Sequence, residues 1–95
     1  MGHNVSREKQ DHRDRQITVL QSIELGWRAE LWCPGCERFR VAPYSRLLTA
    51  GLLEATWMRA VRRMRCPRCR RAPGMIALHF GPKLVVLMKV TSLGA

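Results

Sequence analysis

Apolar and polar residues follow no single period along this chain, and the changes of period divide it. Residues 1–16 are almost wholly polar, with no apolar repeat able to pack on a core, and read as a flexible N-terminal tail. From Thr18 the pattern becomes helical: Val19, Leu20 and Ile23 share a face, Thr18 and Gln21 have capping-box spacing, and Gly26 supplies a stop. Trp27, Ala29 and Leu31 then alternate with Arg28 and Glu30, the period of a half-buried strand running into Trp32-Cys33-Pro34-Gly35-Cys36. Beyond it Phe39 and Val41 alternate with Arg38 and Arg40, which predicts a hairpin with this Cys-x-x-Cys at its tip.

Residues 43–65 read as a helical insert in two pieces. Pro43 suits a first turn, Tyr44, Leu47 and Leu48 share a face, and Gly51 interrupts. In the second piece Leu53, Trp57, Ala60, Val61 and Met64 fall in one arc at helical spacing, with Arg59, Arg62 and Arg63 opposite. The arc assigns Trp57 to the core, and the strand period assigns Trp27 there too. Trp32 is out of phase beside Cys33 and is the tryptophan left for an exposed stacking role. After a second Cys-x-x-Cys, residues 75–90 predict a C-terminal β-hairpin: Ile76, Leu78 and Phe80 alternate with Ala77 and His79, Gly81-Pro82 turns the chain, and Leu84 to Val90 is rich in strand formers. Residues 17–93 thus form one α+β domain.

The cysteines change this picture most. Cys33-Pro34-Gly35-Cys36 and Cys66-Pro67-Arg68-Cys69 are two turns of a type that aims a pair of thiolates at one ion while inner amides hydrogen-bond the sulfurs. The 29 residues between them exceed the spacing of a simple finger, and the helical insert accounts for the excess. A lone Cys-x-x-Cys would be ambiguous with a redox pair, but two in 95 residues favour one shared metal. Haem attachment would need histidine after the second cysteine, where Glu37 and Arg70 stand. The expected ligands are Cys33, Cys36, Cys66 and Cys69, holding one structural Zn²⁺ in a small zinc-ribbon-like domain. Iron uses the same four-thiolate set, so zinc is expected from its prevalence. A full thiolate shell leaves no open position for water or substrate, and no H-E-x-x-H, Walker A or G-x-S-x-G pattern is present, so the chain reads as non-enzymatic.

Charge adds a partner. The formal net charge is +10, and all seven acidic residues lie within the first 54 positions. Even a zinc centre with four thiolates, net −2, would leave about +8. Arg59, Arg62, Arg63, Arg65, Arg68, Arg70 and Arg71 cluster on the helix and second knuckle with no acid near them in sequence, which predicts contacts to nucleic-acid phosphates, DNA or RNA. The alternative is a protein-interaction or assembly module that offers the apolar run within residues 84–90 to a partner chain. That run, Leu84 to Met88, is five residues long and too short for a membrane span, which needs roughly 20. The N-terminus lacks the apolar stretch of an export signal, so a cytoplasmic, reducing location is expected.

Gly26-Trp27 ahead of a strand, Trp32-Cys33-Pro34-Gly35-Cys36, a leucine-bearing insert and Met64-Arg65-Cys66-Pro67-Arg68-Cys69 together resemble a group of small, uncharacterised zinc-ribbon proteins common in alphaproteobacteria. The resemblance covers residues 18–72 and implies the metal site and the fold. No activity attaches to the group, so function rests on the residues themselves. The chain departs from the pattern where Arg70-Arg71 replace the glycine that commonly follows the second knuckle, and segment 75–93 looks like an addition.

Overall fold

The computed structural model describes residues 14–90. The predicted tail therefore lies largely outside the described residues, and residues 14–16 are helical. The elements that follow are α1 (Val19–Glu24), β1 (Arg28–Cys33), β2 (Arg38–Val41), α2 (Tyr44–Thr49), α3 (Trp57–Val61), β3 (Met75–Phe80) and β4 (Lys83–Lys89). The strands form one antiparallel sheet in the order β2-β1-β3-β4, so the two hairpins join through β1 and β3. The chain is thus α+β, with short helices against one face of the sheet.

Local chemistry explains where the helices begin and end. Thr18 Oγ1 accepts from the Gln21 amide at 3.0 Å while the Gln21 side chain accepts from the Thr18 amide at 2.8 Å, a complete capping box. Two further first-turn amides find partners across the fold: Val19 N–H donates to Ala55 O and Leu20 N–H to Leu53 O. At the other end Gly26 takes φ +72°, with Gly26 N–H donating to Ile23 O and Trp27 N–H to Ser22 O, a Schellman stop; Gly51 ends α2 in the same way.

The insert between the knuckles is less helical than its periodicity predicts. Helix occupies Tyr44–Thr49 and Trp57–Val61, and residues 50–56 and 62–65 are turns and irregular backbone. Leu53 precedes the N-cap Thr56, because the Leu53 and Ala55 carbonyls serve the start of α1 instead of a local helix. The arc survives as a packing surface: Trp57, Ala60 and Val61 are fully buried, and the Trp57 indole N–H donates to Ser22 Oγ at 3.1 Å. Around them Val19, Leu31, Leu47, Ile76, Leu78, Val86 and Met88 complete one core.

In β2 it is the arginine set that faces the helices. Arg40 pairs with buried Leu31 and shares its face, whereas Phe39 pairs with Trp32 on the opposite face, their ring centroids 5.1 Å apart edge to face. Trp32 is therefore half-buried in an aromatic contact. In β4, Val86 and Met88 point to the core while Leu84, Val85 and Leu87 are exposed. Among the described residues no helix is long and apolar enough to cross a membrane.

Candidate metal centre

The sheet delivers the first knuckle. Cys33 is the last residue of β1 and lies on its buried face, and the chain reverses through Pro34-Gly35-Cys36 into β2. The second knuckle, residues 66–69, lies between α3 and β3 and is built on the same plan. Glu37 N–H donates to Cys33 O at 2.7 Å and Arg70 N–H donates to Cys66 O at 2.8 Å, closing equivalent turns. The residue after each second cysteine is left-handed, Glu37 at φ +55° and Arg70 at φ +64°. Glycine is favoured in that conformation, so the resembling group's glycine has a physical counterpart in the Arg70 backbone.

The two turns face each other. Cys33 Sγ lies 3.2 Å from Cys69 Sγ, Cys36 Sγ lies 3.8 Å from Cys66 Sγ, and all four sulfurs fall within 4.8 Å of one another. A tetrahedral ion with metal–sulfur bonds of about 2.3 Å separates its ligands by about 3.8 Å, so the set brackets the distance required. These four cysteines could hold one metal ion. Gly35 makes the approach possible: a Cβ there would come within 2.6 Å of Cys69 Cβ and closer still to its sulfur.

Hydrogen bonds already favour thiolates on part of the cluster. The Cys36 amide, then the Cys69 side chain, lower the Cys33 pKa. The amides of Cys69 and then Arg68 hold Cys66 down at about 6. Cys36 is pushed up to about 11, first by hydrogen bonding of its thiol with the Cys33 sulfur and then with Cys66, to which burial and the charge repulsion of those two sulfurs add. A divalent ion would relieve that repulsion and displace the remaining protons.

All seven predicted phosphate-binding arginines, Arg59, Arg62, Arg63, Arg65, Arg68, Arg70 and Arg71, are exposed. They occupy different surroundings. Arg68 stands on the second knuckle, and Arg65 folds back so that its Nη1 donates to Arg62 O and Met64 O at 2.8 and 2.7 Å. Arg63, Arg65 and Arg71 line one cavity of about 370 Å³ beside the knuckles, whereas Arg59, Arg62, Arg68 and Arg70 lie outside its wall. Arg40 and Arg46 join that cavity, an addition that sequence spacing alone did not reveal. The available signal was the choice of inward set in β2, which alternation leaves open when arginines alternate with apolar residues on an edge strand.

Comparison of the chain with protein-family models, with curated proteins and with solved structures finds no match. The resemblance to the alphaproteobacterial group therefore rests on the quoted residues alone.

Proposed function

We propose that this chain is a non-enzymatic zinc-ribbon protein that binds nucleic acid through phosphates. Cys33, Cys36, Cys66 and Cys69 hold one structural Zn²⁺, and the arginines of residues 59–71 supply the contacts. The observation that carries the metal is the convergence of four sulfurs within 4.8 Å. Support for the acidic partner is that the seven arginines are exposed and none forms an ion pair among the described residues. Surface arginines without counter-charges are suited to phosphates, and a structural zinc scaffold orders the loop that carries them.

Elemental analysis of purified protein should give about one equivalent of zinc, and chelation should lower the melting temperature. A folded protein without metal and with four free thiols refutes the centre. For nucleic acid, four or five phosphate contacts give a slope of log K against log salt of about −3.6 to −4.5 on duplex DNA. Replacing Arg62 and Arg63 by alanine should weaken unrelated sequences about equally and flatten the slope by roughly two, because phosphate contacts carry no base identity. Both side chains are exposed, so folding should survive. An unchanged slope moves the interaction to β4, an edge strand whose Leu84, Val85 and Leu87 side chains are 47, 39 and 53% exposed and would suit a protein partner.

A further inference from the structure

The cavity beside the knuckles has an unusual charge balance. Arg40, Arg46, Arg63, Arg65 and Arg71 line it, and among the described residues no aspartate or glutamate does. Two of its wall residues, Cys33 and Cys66, belong to the metal centre. With a divalent ion bound to four thiolates that centre has a net charge of −2, so at most two of the five guanidinium charges are offset and three remain.

Arg40 sharpens the imbalance. It sits on the core face of β2 opposite Leu31, and its Nε and Nη2 are out of water's reach with no hydrogen-bond partner among the described residues. Neither nitrogen reaches a cysteine sulfur, so the guanidinium does not serve the metal centre by hydrogen bonding. A charged group held partly away from water without a counter-charge is costly, and an anion in the adjoining space would offset that cost. The remaining wall is apolar, with Leu31, Val41, Leu47, Leu52 and Met64 among its residues. A volume of about 370 Å³ falls within the range of small-molecule sites, roughly 300–1,000 Å³.

We infer that this cavity binds a small organic anion, its single phosphate or carboxylate held by Arg46 and by Nη1 of Arg40, which is not among the buried nitrogens, and its apolar body against Leu47, Leu52 and Met64. The inference does not require nucleic-acid binding, although Arg63, Arg65 and Arg71 belong both to the cavity wall and to the proposed phosphate-binding set. An inward arginine can also serve merely to guard an edge strand, and that role makes different predictions.

Zinc-loaded full-length protein is titrated with phenyl phosphate, octanoate and inorganic phosphate, following the Arg40 Nε–Hε resonance by NMR and the heat by calorimetry. At least one of the two organic anions should saturate and bind about tenfold or more tightly than inorganic phosphate, because only an organic anion buries apolar surface; which one does so separates a phosphate from a carboxylate site. Arg40→Met should weaken the organic anion about tenfold or more, consistent with loss of a charge-assisted contact. Should Arg40→Met fail to fold, Arg46→Gln provides the same test on an exposed side chain, with a loss of severalfold expected. Three outcomes overturn the inference: no saturation of either organic anion below about 10 mM, a weakness beyond ordinary small-molecule affinity; inorganic phosphate binding as tightly as both; or affinity unchanged in the folded variants.

Discussion

Gly35 makes the closure of the metal centre testable with one methyl group. Its backbone is not left-handed, so alanine meets no conformational penalty there, and any effect must come from contact. The added Cβ would lie 2.6 Å from Cys69 Cβ and closer to Cys69 Sγ, well inside the ordinary contact range. The nearest neighbour is a candidate ligand, so it cannot swing aside without leaving the sulfur cluster. Overpacking of this kind costs about 1–3 kcal/mol. In a domain of this size that corresponds to a fall in melting temperature of roughly 4–24 °C. If the strain falls wholly on the metal-bound form, zinc affinity drops about 5- to 150-fold.

Two other glycines provide the controls. A Cβ on Gly74 would lie 3.6 Å from Trp32 Cδ1, an ordinary contact, so Gly74→Ala should change stability by less than about 0.5 kcal/mol. Gly51 faces open space but is left-handed at φ +72°, so Gly51→Ala should cost about 1 kcal/mol through its backbone and leave zinc affinity unchanged. Thermal melts together with competition against a chromophoric chelator separate the three. If Gly35→Ala behaves like Gly74→Ala in both measurements, the knuckles do not approach as described and the shared centre loses its geometric basis.

Arg70→Gly and Glu37→Gly should each stabilise the protein by about 0.5–1 kcal/mol in denaturant titrations, since both residues occupy left-handed backbone that glycine adopts freely. Trp57→Ala should cost about 3–5 kcal/mol, because the side chain is fully buried, and Ser22→Ala about 1–3 kcal/mol, because it orphans the indole N–H; losses well below 1 kcal/mol would contradict that burial. For metal-free protein, the Cys66 pKa of about 6 lies below the ordinary 9.0, so its contribution to stability is complete above pH 9.0 and is lost as pH falls through 6. Cys36, raised to about 11, acts oppositely: its contribution is present below 9.0 and lost as pH rises through 11. Denaturant midpoints should therefore peak near pH 9, and Cys66→Ser should shrink the acidic limb, leaving the part that the lowered Cys33 pKa contributes.

The parts legible in the sequence are those set by neighbours in the chain. Thr18 with Gln21 specified the start of α1, alternation from Trp27 to Leu31 specified the inward face of β1, and the turn at Gly81-Pro82 specified the last hairpin. The four candidate ligands were readable because a Cys-x-x-Cys turn is itself local. Long-range pairing was not readable. No pattern showed that β1 would pair with β3, or that the carbonyls of Leu53 and Ala55 would serve α1 and so shorten α3. Ser22 was hidden because a polar residue on a short helix gives no sign that an indole 35 residues away will bond to it. Arg40 was hidden because Phe39 had its own partner, Trp32, on the outer face.

The same geometry ties the candidate metal centre to the basic surface. Between the end of α3 at Val61 and the start of β3 at Met75 the chain has no helix or strand, yet that segment carries six of the seven arginines. Its backbone hydrogen bonds are of three kinds: Arg63 N–H to Ala60 O and Met64 N–H to Val61 O at the end of α3, Arg70 N–H to Cys66 O and Cys66 N–H to Arg71 O within the knuckle, and Gly74 N–H to Trp32 O and Val90 N–H to Gly74 O at the sheet. None of them ties residues 65–73 to the β1–β2 hairpin. Holding the knuckle against the β1–β2 hairpin therefore falls largely to the sulfur cluster, and a metal bound there would stabilise the order of the arginines beside it. Linkage then requires reciprocity: if zinc tightens an anionic ligand by some factor, that ligand must raise zinc affinity by the same factor. Competition titrations of zinc with and without a saturating oligonucleotide measure that factor directly. A factor of one would mean that the arginines are positioned independently of the cysteines and that the two halves of the proposed function are not coupled.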